Sequence, residues 1–563
     1  MKPIPALAEL ARTYGPAVSL EKSHLLNEIA AAARCSVRRL RQLQDVVGFL
    51  LAYPDDAQVR RDAEALSAQL VRLTAVQLDA GRGDQLEESG LPGTTCRRLL
   101  SYELARLMAR ELPGELEIDW ELLEQPGKLH DVLGALVLAV EAPALDDIEI
   151  GTRAWIEDRA RPGQSGLQAV IEDFESWSMT PEQRAALFEA CELPLRLDDV
   201  EGIRGRTELR FPVERVQYQR EPLPRERWPL PARIRRELRE VRRLSPAQAR
   251  ARLARIRLAM LSRDLEIYPL THADERDVQL IGCGRGVEVT LAGVRPEKRC
   301  AFEALYYYLV TKNGVPIAYG PASPFLGACE MGINFFEEFR GAETRFVYTQ
   351  VMRVLYHVLG VRNFYVTPYG MGKGNAAALA SGAFWFYRKL GFATANREVE
   401  ELANEEERKM RSQPGYRSDS RTLKRLSATA ASLDLSGGTC PRFDSSALAR
   451  TVTRDFNAAA EGSRDAHARR CLRGVVRALG VGELSAWTED ERESLARMAP
   501  ALSQIEDLAA WSARDKRSLI RIVRAKGKRS EARAAAGMLA HPRLARALRR
   551  VSEERGRLTA FRA

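Results

Sequence analysis

Leu305–Gly320 reads LYYYLVTKNGVPIAYG, Cys329–Gly360 reads CEMGINFFEEFRGAETRFVYTQVMRVLYHVLG, Val361–Tyr369 reads VRNFYVTPY and Ser381–Phe392 reads SGAFWFYRKLGF. Aromatic and β-branched runs alternate here with runs of helical period, and glycine or proline punctuates the joints. Leu305–Val310 predicts a strand. Asn313-Gly314 is the strongest short hairpin signal, with Val315–Tyr319 as the returning strand. Met331–Phe339 predicts a third strand, broken at Arg340-Gly341. Glu343 opens a helix in which Phe346, Val347, Met352, Val354, Leu355, Val358 and Leu359 form an apolar band wide enough for burial. Gly360 closes it. Asn363–Thr367 predicts a fourth strand, and Asn375–Lys389 a last helix ended by Gly391.

Outward from this stretch, the length of 563 residues exceeds what one core organises and predicts about three domains. Residues 1–200 read as an α-helical N-terminal domain. Tyr53-Pro54-Asp55-Asp56 is a turn that caps a helix, and Thr180-Pro181-Glu182-Gln183 is a second clean helix start. Gly90–Thr95 reads as a linker, and Leu116–Trp120 as a short strand or an extended lead into a helix. Residues 201–235 form a connector, with a candidate strand in Arg204–Tyr218 followed by Pro222, Pro224, Pro229 and Pro231. Ser245-Pro246 opens a helix to Ser262. Val278–Cys283 and Val287–Val294 make a hairpin around Gly284-Arg285-Gly286. The glycines at 282, 284 and 286 have the look of a phosphate loop, but no helix follows them. Residues 412–440 are rich in Ser, Thr and Gly and predict a flexible polar linker, given overall as 401–440. Residues 441–563 read as a basic α-helical domain. The fold class expected is α+β, a mixed sheet at 236–400 flanked by helical domains.

Hydrophobic content of 45% and charged content of 29% suit an ordinary globular chain. No run of 18 apolar residues predicts a membrane-crossing helix, and MKPIPALAELARTYG has no secretory pattern, so a cytoplasmic setting and no membrane partner are expected. The eight cysteines are scattered without a CxxC pair and the six histidines are dispersed, which predicts free thiols and no metal. The net charge is +10. Residues 511–563 hold 16 Lys/Arg against 4 Asp/Glu, which leaves the rest of the chain near −2. Arg514, Lys516, Arg517, Arg521, Arg524, Lys526, Lys528, Arg529 and Arg533 crowd one stretch, and 511–563 is therefore a candidate nucleic-acid contact. A solvated helix face packed on the rest of the domain is the alternative.

Two motifs in the central stretch, Glu338-Phe339-Arg340-Gly341 at a strand-to-helix turn and Phe386-Tyr387-Arg388-Lys389-Leu390-Gly391-Phe392 at the end, resemble the acyl-CoA-binding half of the GNAT superfamily of N-acyltransferases. The resemblance covers about 90 residues closely. It implies acetyl-CoA or another acyl-CoA as donor and an amine as acceptor. It implies that Arg340, Gly341, Ala342, Glu343, Thr344 and Arg345 hold the pyrophosphate at a helix N-terminus. Glu343 and Arg345 stand where the family has glycines. A carboxylate in that first turn would repel a phosphate, while an ordinary helix start would welcome it. Tyr387 matches the family's general acid toward the departing sulfur, a phenol having a pKa near that of a thiol. The family's asparagine seven residues earlier is Ala380 here, with Asn375 nearby. Glu330 is the candidate general base, because Glu337 and Glu338 on a strand would face opposite ways. Two readings stand: an acyltransferase, or a non-catalytic scaffold of the same fold that contacts nucleic acid through its basic end.

Overall fold

The computed structural model describes residues 3–32, 34–199, 201–223, 230–459 and 463–554. Helices and several sheets mix, as the α+β expectation requires. Within 555–563, the basic residues Arg555, Arg557 and Arg562 lie outside the described residues.

Six strands form the central sheet: β4 (Glu240–Arg243), β5 (Ala273–Gly284), β6 (Val287–Val294), β7 (Tyr306–Lys312), β8 (Val315–Ala322) and β10 (Asn334–Phe335), in the order β10-β8-β7-β6-β5-β4 and antiparallel throughout. Asn313 (φ 49°) and Gly314 (φ 79°) are both left-handed, as a two-residue hairpin turn demands. Tyr306, Tyr307 and Tyr308 are all fully buried, so both faces of β7 are covered. The N-terminal helices supply part of that cover. Leu40, Leu43, Val47, Phe49 and Leu50 of Val37–Ala52 belong to the same apolar core as β5–β8. Phe49 stacks on Phe339, and Asn313 Nδ2 donates 2.8 Å to the Ala52 carbonyl.

This divides 1–200 differently from the sequence reading. Helices up to Asp79 join the central unit, whereas 95–198 builds its own core around a three-stranded antiparallel sheet, β1 (Thr95–Leu99), β3 (Pro194–Asp198) and β2 (Leu116–Ile118). Two capping boxes, at Ser165 and Thr180, start helices of that unit. The strand expected in Arg204–Tyr218 does not form. That segment is irregular and is tied down by Phe211 N–H to Gly314 O and Gln219 N–H to Pro54 O.

The second sheet has the order β12-β13-β11-β9, from β9 (Ala328–Glu330), β11 (Asn363–Val366), β12 (Ala393–Thr394) and β13 (Ala431–Asp434). Only the β9–β11 pair is parallel. The 401–440 linker is thus corrected: it contains the end of helix Arg397–Ser412, helix Ser420–Leu426 and the interior strand β13. Met331–Phe339 is not one strand either. β9 ends at Glu330, 334–335 pairs with β8, and Glu337–Phe339 is a 3₁₀ turn. A bundle of helices from Ser445 to Glu554 forms the third core. No helix among the described residues is long and apolar enough to cross a membrane.

Candidate functional site

The parallel β9–β11 ladder runs from Ala328/Asn363 to Glu330/Tyr365, and Met331 N–H to Tyr365 O (2.7 Å) is its last bond. Beyond it the chains part. Asn334 and Phe335 turn away to pair with Tyr319 and Ala318 of β8, while β11 runs on through Val366 into Thr367. The Tyr308 hydroxyl donates to the Gly332 carbonyl (2.5 Å) and holds the crossing segment in place. Between the diverging chains lies a cavity of about 860 Å³, within the size range of small-molecule sites.

Glu330 and Tyr387 both line this cavity. The Thr367 hydroxyl donates 2.7 Å to Glu330 Oε1 and orients the carboxylate. Tyr387 sits on helix Ala383–Lys389, 8% exposed, packed against Tyr348 and Phe392. Burial, and then the charge of Glu330, push its phenol up to about 12. It therefore stays protonated at neutral pH, and it lies well above a thiol rather than beside one. Arg388 anchors the helix outward to Glu400 (2.7 Å), Asn404 (2.8 Å) and Glu407 (3.1 Å). The single helix expected over Asn375–Lys389 is two, split at Gly382 (φ 67°). Asn375 lines the cavity while its Oδ1 caps the first helix; Ala380 does not line it.

Of the six expected pyrophosphate residues, Arg340, Gly341 and Thr344 line the cavity and Ala342, Glu343 and Arg345 do not. Gly341 is left-handed (φ 78°), and the helix Thr344–Val358 has no side-chain cap at its N-terminus. Glu343 turns inward, 5% exposed, and accepts from Lys312 Nζ (2.7 Å) and Arg285 Nη1 (3.3 Å). Its placement differs from the expectation, because the carboxylate is paired with a buried ammonium rather than presented at the helix end. Glu337 and Glu338 both line the cavity, against the opposite-faces expectation, since a 3₁₀ turn does not alternate as a strand does.

Residues far away in sequence complete the walls. Arg12 donates to the Arg340 carbonyl (2.7 Å) and the Glu338 carbonyl (2.8 Å), bracing the loop from the N-terminal helices. Arg206 and Arg263 line one end; Arg263 stacks over Phe336 (4.2 Å) and faces Glu338 (3.4 Å). No local motif marks these arginines. The glycines at 282, 284 and 286 serve the β5–β6 hairpin. Elsewhere, Asp455, His467 and Cys471 bring one ligand atom each within 4.8 Å of one another. His467 Nε2 is 2.8 Å from Asp455 Oδ2, hydrogen-bond length, and Arg470 donates to its other ring nitrogen.

No known protein family, curated protein or solved structure matches the chain.

Proposed function

We propose that the cavity between β9 and β11 binds acyl-CoA and passes its acyl group to an amine. The observation that carries this reading is the parting of two parallel strands with Glu330 and Tyr387 on the walls of the opening. The loop suits a pyrophosphate: Gly341 has no side chain, the helix N-terminus behind it has no side-chain cap, and Arg340 is an exposed cation on the rim. Acyl-CoA would supply a thioester carbonyl activated toward nitrogen.

Glu330 takes the proton that the attacking amine must lose as the carbon–nitrogen bond forms. Tyr387 donates a hydrogen bond to the sulfur as the carbon–sulfur bond breaks. With its pKa near 12, it supports the leaving thiolate without surrendering its proton. The proton on Glu330 is then available to the sulfur, which leaves CoA as the thiol and both residues restored.

Isothermal titration with acetyl-CoA, followed by turnover on a panel of amines, tests this. Wild type should bind. Tyr387→Phe should bind equally and turn over more slowly, by about 10-fold or more. Glu330→Gln should bind and lose most of its rate at neutral pH. Absence of binding heat for the wild type would retire the reading in favour of a non-catalytic scaffold.

A further inference from the structure

Packing sorts the positive charge of the C-terminal bundle into two groups. The first is engaged by partners within the protein, even where, as at Lys528 and Arg529, the side chain stays exposed. Lys526 is buried against Glu531, Arg524 and Lys528 pair with Glu491, and Arg529 donates to the Arg276 carbonyl. Arg543 bridges Asp507 (3.0 Å) and Asp515 (3.3 Å). These cations, which the sequence groups with the rest, are structural ties.

The second group faces solvent. Arg514, Arg517 and Arg521 are exposed along one side of helix Ala513–Lys526, opposite the buried Leu519, Ile522 and Val523. Arg546 and Arg550 are exposed on helix Pro542–Glu554, opposite the buried Leu544, Leu548 and Val551. The Arg543–Asp515 bridge and the His541 Nε2 contact to the Asp515 carbonyl (3.1 Å) fasten the start of the second helix to the start of the first. Arg550 is close enough to Asp507 to stabilise its charge, beside Arg543. The two arginine-bearing helices are therefore joined at their starts.

We propose that this arginine face binds the phosphate backbone of nucleic acid without reading its bases. Guanidinium groups present paired donors that match phosphate oxygens. An anionic membrane surface is held by cations interleaved with exposed apolar anchors, and base readout in single strands needs exposed aromatics. Among the described residues from 441 to 554, no large apolar or aromatic side chain is exposed. What remains is charge at helical spacing, the pattern of sequence-independent backbone binding.

Fluorescence anisotropy on the full chain tests this, with a labelled DNA duplex of about 24 base pairs and an RNA duplex of the same sequence, from roughly 50 to 300 mM KCl. Affinity should fall with salt, with a log–log slope of about −0.9 per phosphate contacted, so five contacts give about −4 to −5. The triple variant Arg514→Ser/Arg517→Ser/Arg521→Ser should flatten that slope by about 3 units. The triple variant Arg397→Ser/Arg408→Ser/Arg411→Ser removes the same charge from an exposed helix elsewhere and should leave the slope unchanged. The proposal falls if the wild type shows no salt-sensitive binding at the lowest salt. It falls equally if both variants weaken binding alike, or if vesicles containing about 30% phosphatidylserine displace the duplex. Relative affinity for the two duplexes tells whether the partner is DNA or RNA.

Discussion

At the residue scale, Glu343 changes its meaning most between sequence and structure. A carboxylate in a helix's first turn suggests a group that serves the helix dipole and deters a phosphate. It points instead into the protein, where its side chain and that of Lys312 are 2% and 1% exposed, and Lys312 also lies over the Tyr53 ring. Burial lowers the Lys312 pKa and Glu343 opposes that shift. Removing Glu343 strands a buried ammonium. Glu343→Ala should therefore lose about 3–5 kcal/mol in guanidinium unfolding, and Glu343→Leu with Lys312→Met should recover much of it. A loss under about 1 kcal/mol for the single variant would contradict the buried pair. His272 gives a pH signature. Burial and then Arg295, which donates 3.2 Å to its Nδ1, pull its pKa from 6.5 to about 4. The unfolded chain thus takes up the proton first as pH falls. Stability from this group is full above about 6.5 and declines toward pH 4, by at most about 3 kcal/mol. His272→Gln should narrow the difference in urea midpoint between pH 7 and pH 4.5, and an unchanged difference would assign that acid sensitivity to other groups. Glu330 and Tyr387 are legible because a motif and a strand end mark them. Arg12 and Arg263 are not, since one braces the loop and the other lines the cavity from turns whose local sequence says nothing about it.

At the scale of elements, strong local chemistry reads directly and tertiary pairing does not. The Asn313-Gly314 turn and the helix start at Ser245-Pro246 stand where the sequence puts them, each dictated by a few neighbouring residues. β13 is missed because its four residues sit in a stretch rich in Ser, Thr and Gly that reads as linker. The signal was the alternation: Ala431 and Leu433 are buried, Ser432 is half-buried and Asp434 exposed. Met331–Phe339 is misread for the opposite reason, as its apolar run begins on the last bond to β11, crosses over and pairs with β8 in the other sheet. β13 lies between β12 and β11, so its loss would leave β12 without a partner and β11 paired with β9 alone. Leu433→Ala should cost about 2–4 kcal/mol, the range for a buried leucine in an interior strand. Limited thermolysin digestion should leave 431–434 intact in the wild type. Early cleavage there, with the two halves separating, would restore the linker reading.

At the scale of the molecule, three apolar cores are joined by apolar and polar contacts, and one arginine carries much of the polar joint between the central unit and the C-terminal bundle. Arg299 follows β6 and is 5% exposed. Its guanidinium donates to the carbonyls of Val294 (2.8 Å), Lys526 (2.6 Å), Lys528 (2.5 Å) and Arg529 (3.1 Å). Arg497 returns a hydrogen bond to the Arg299 carbonyl (3.1 Å), and the Leu305 amide donates to Glu531 (3.0 Å). The loop after helix Ala513–Lys526 thus closes around a side chain from the central unit. Four carbonyls in this arrangement need a planar donor with several N–H groups, which an ammonium cannot supply at once. Arg299→Ala leaves buried carbonyls without a donor and should cost on the order of 3–5 kcal/mol, with Arg299→Lys close behind. The loss falls at the joint rather than inside either core. Differential scanning calorimetry should therefore show the bundle melting apart from the central unit in both variants, below any wild-type transition. Cleavage by thermolysin in 436–444, the chain between β13 and the bundle, should quicken in parallel. If Arg299→Ala melts as the wild type does, the bundle is held by its apolar contacts with Phe302 and Phe325, and the arginine only fills the seam.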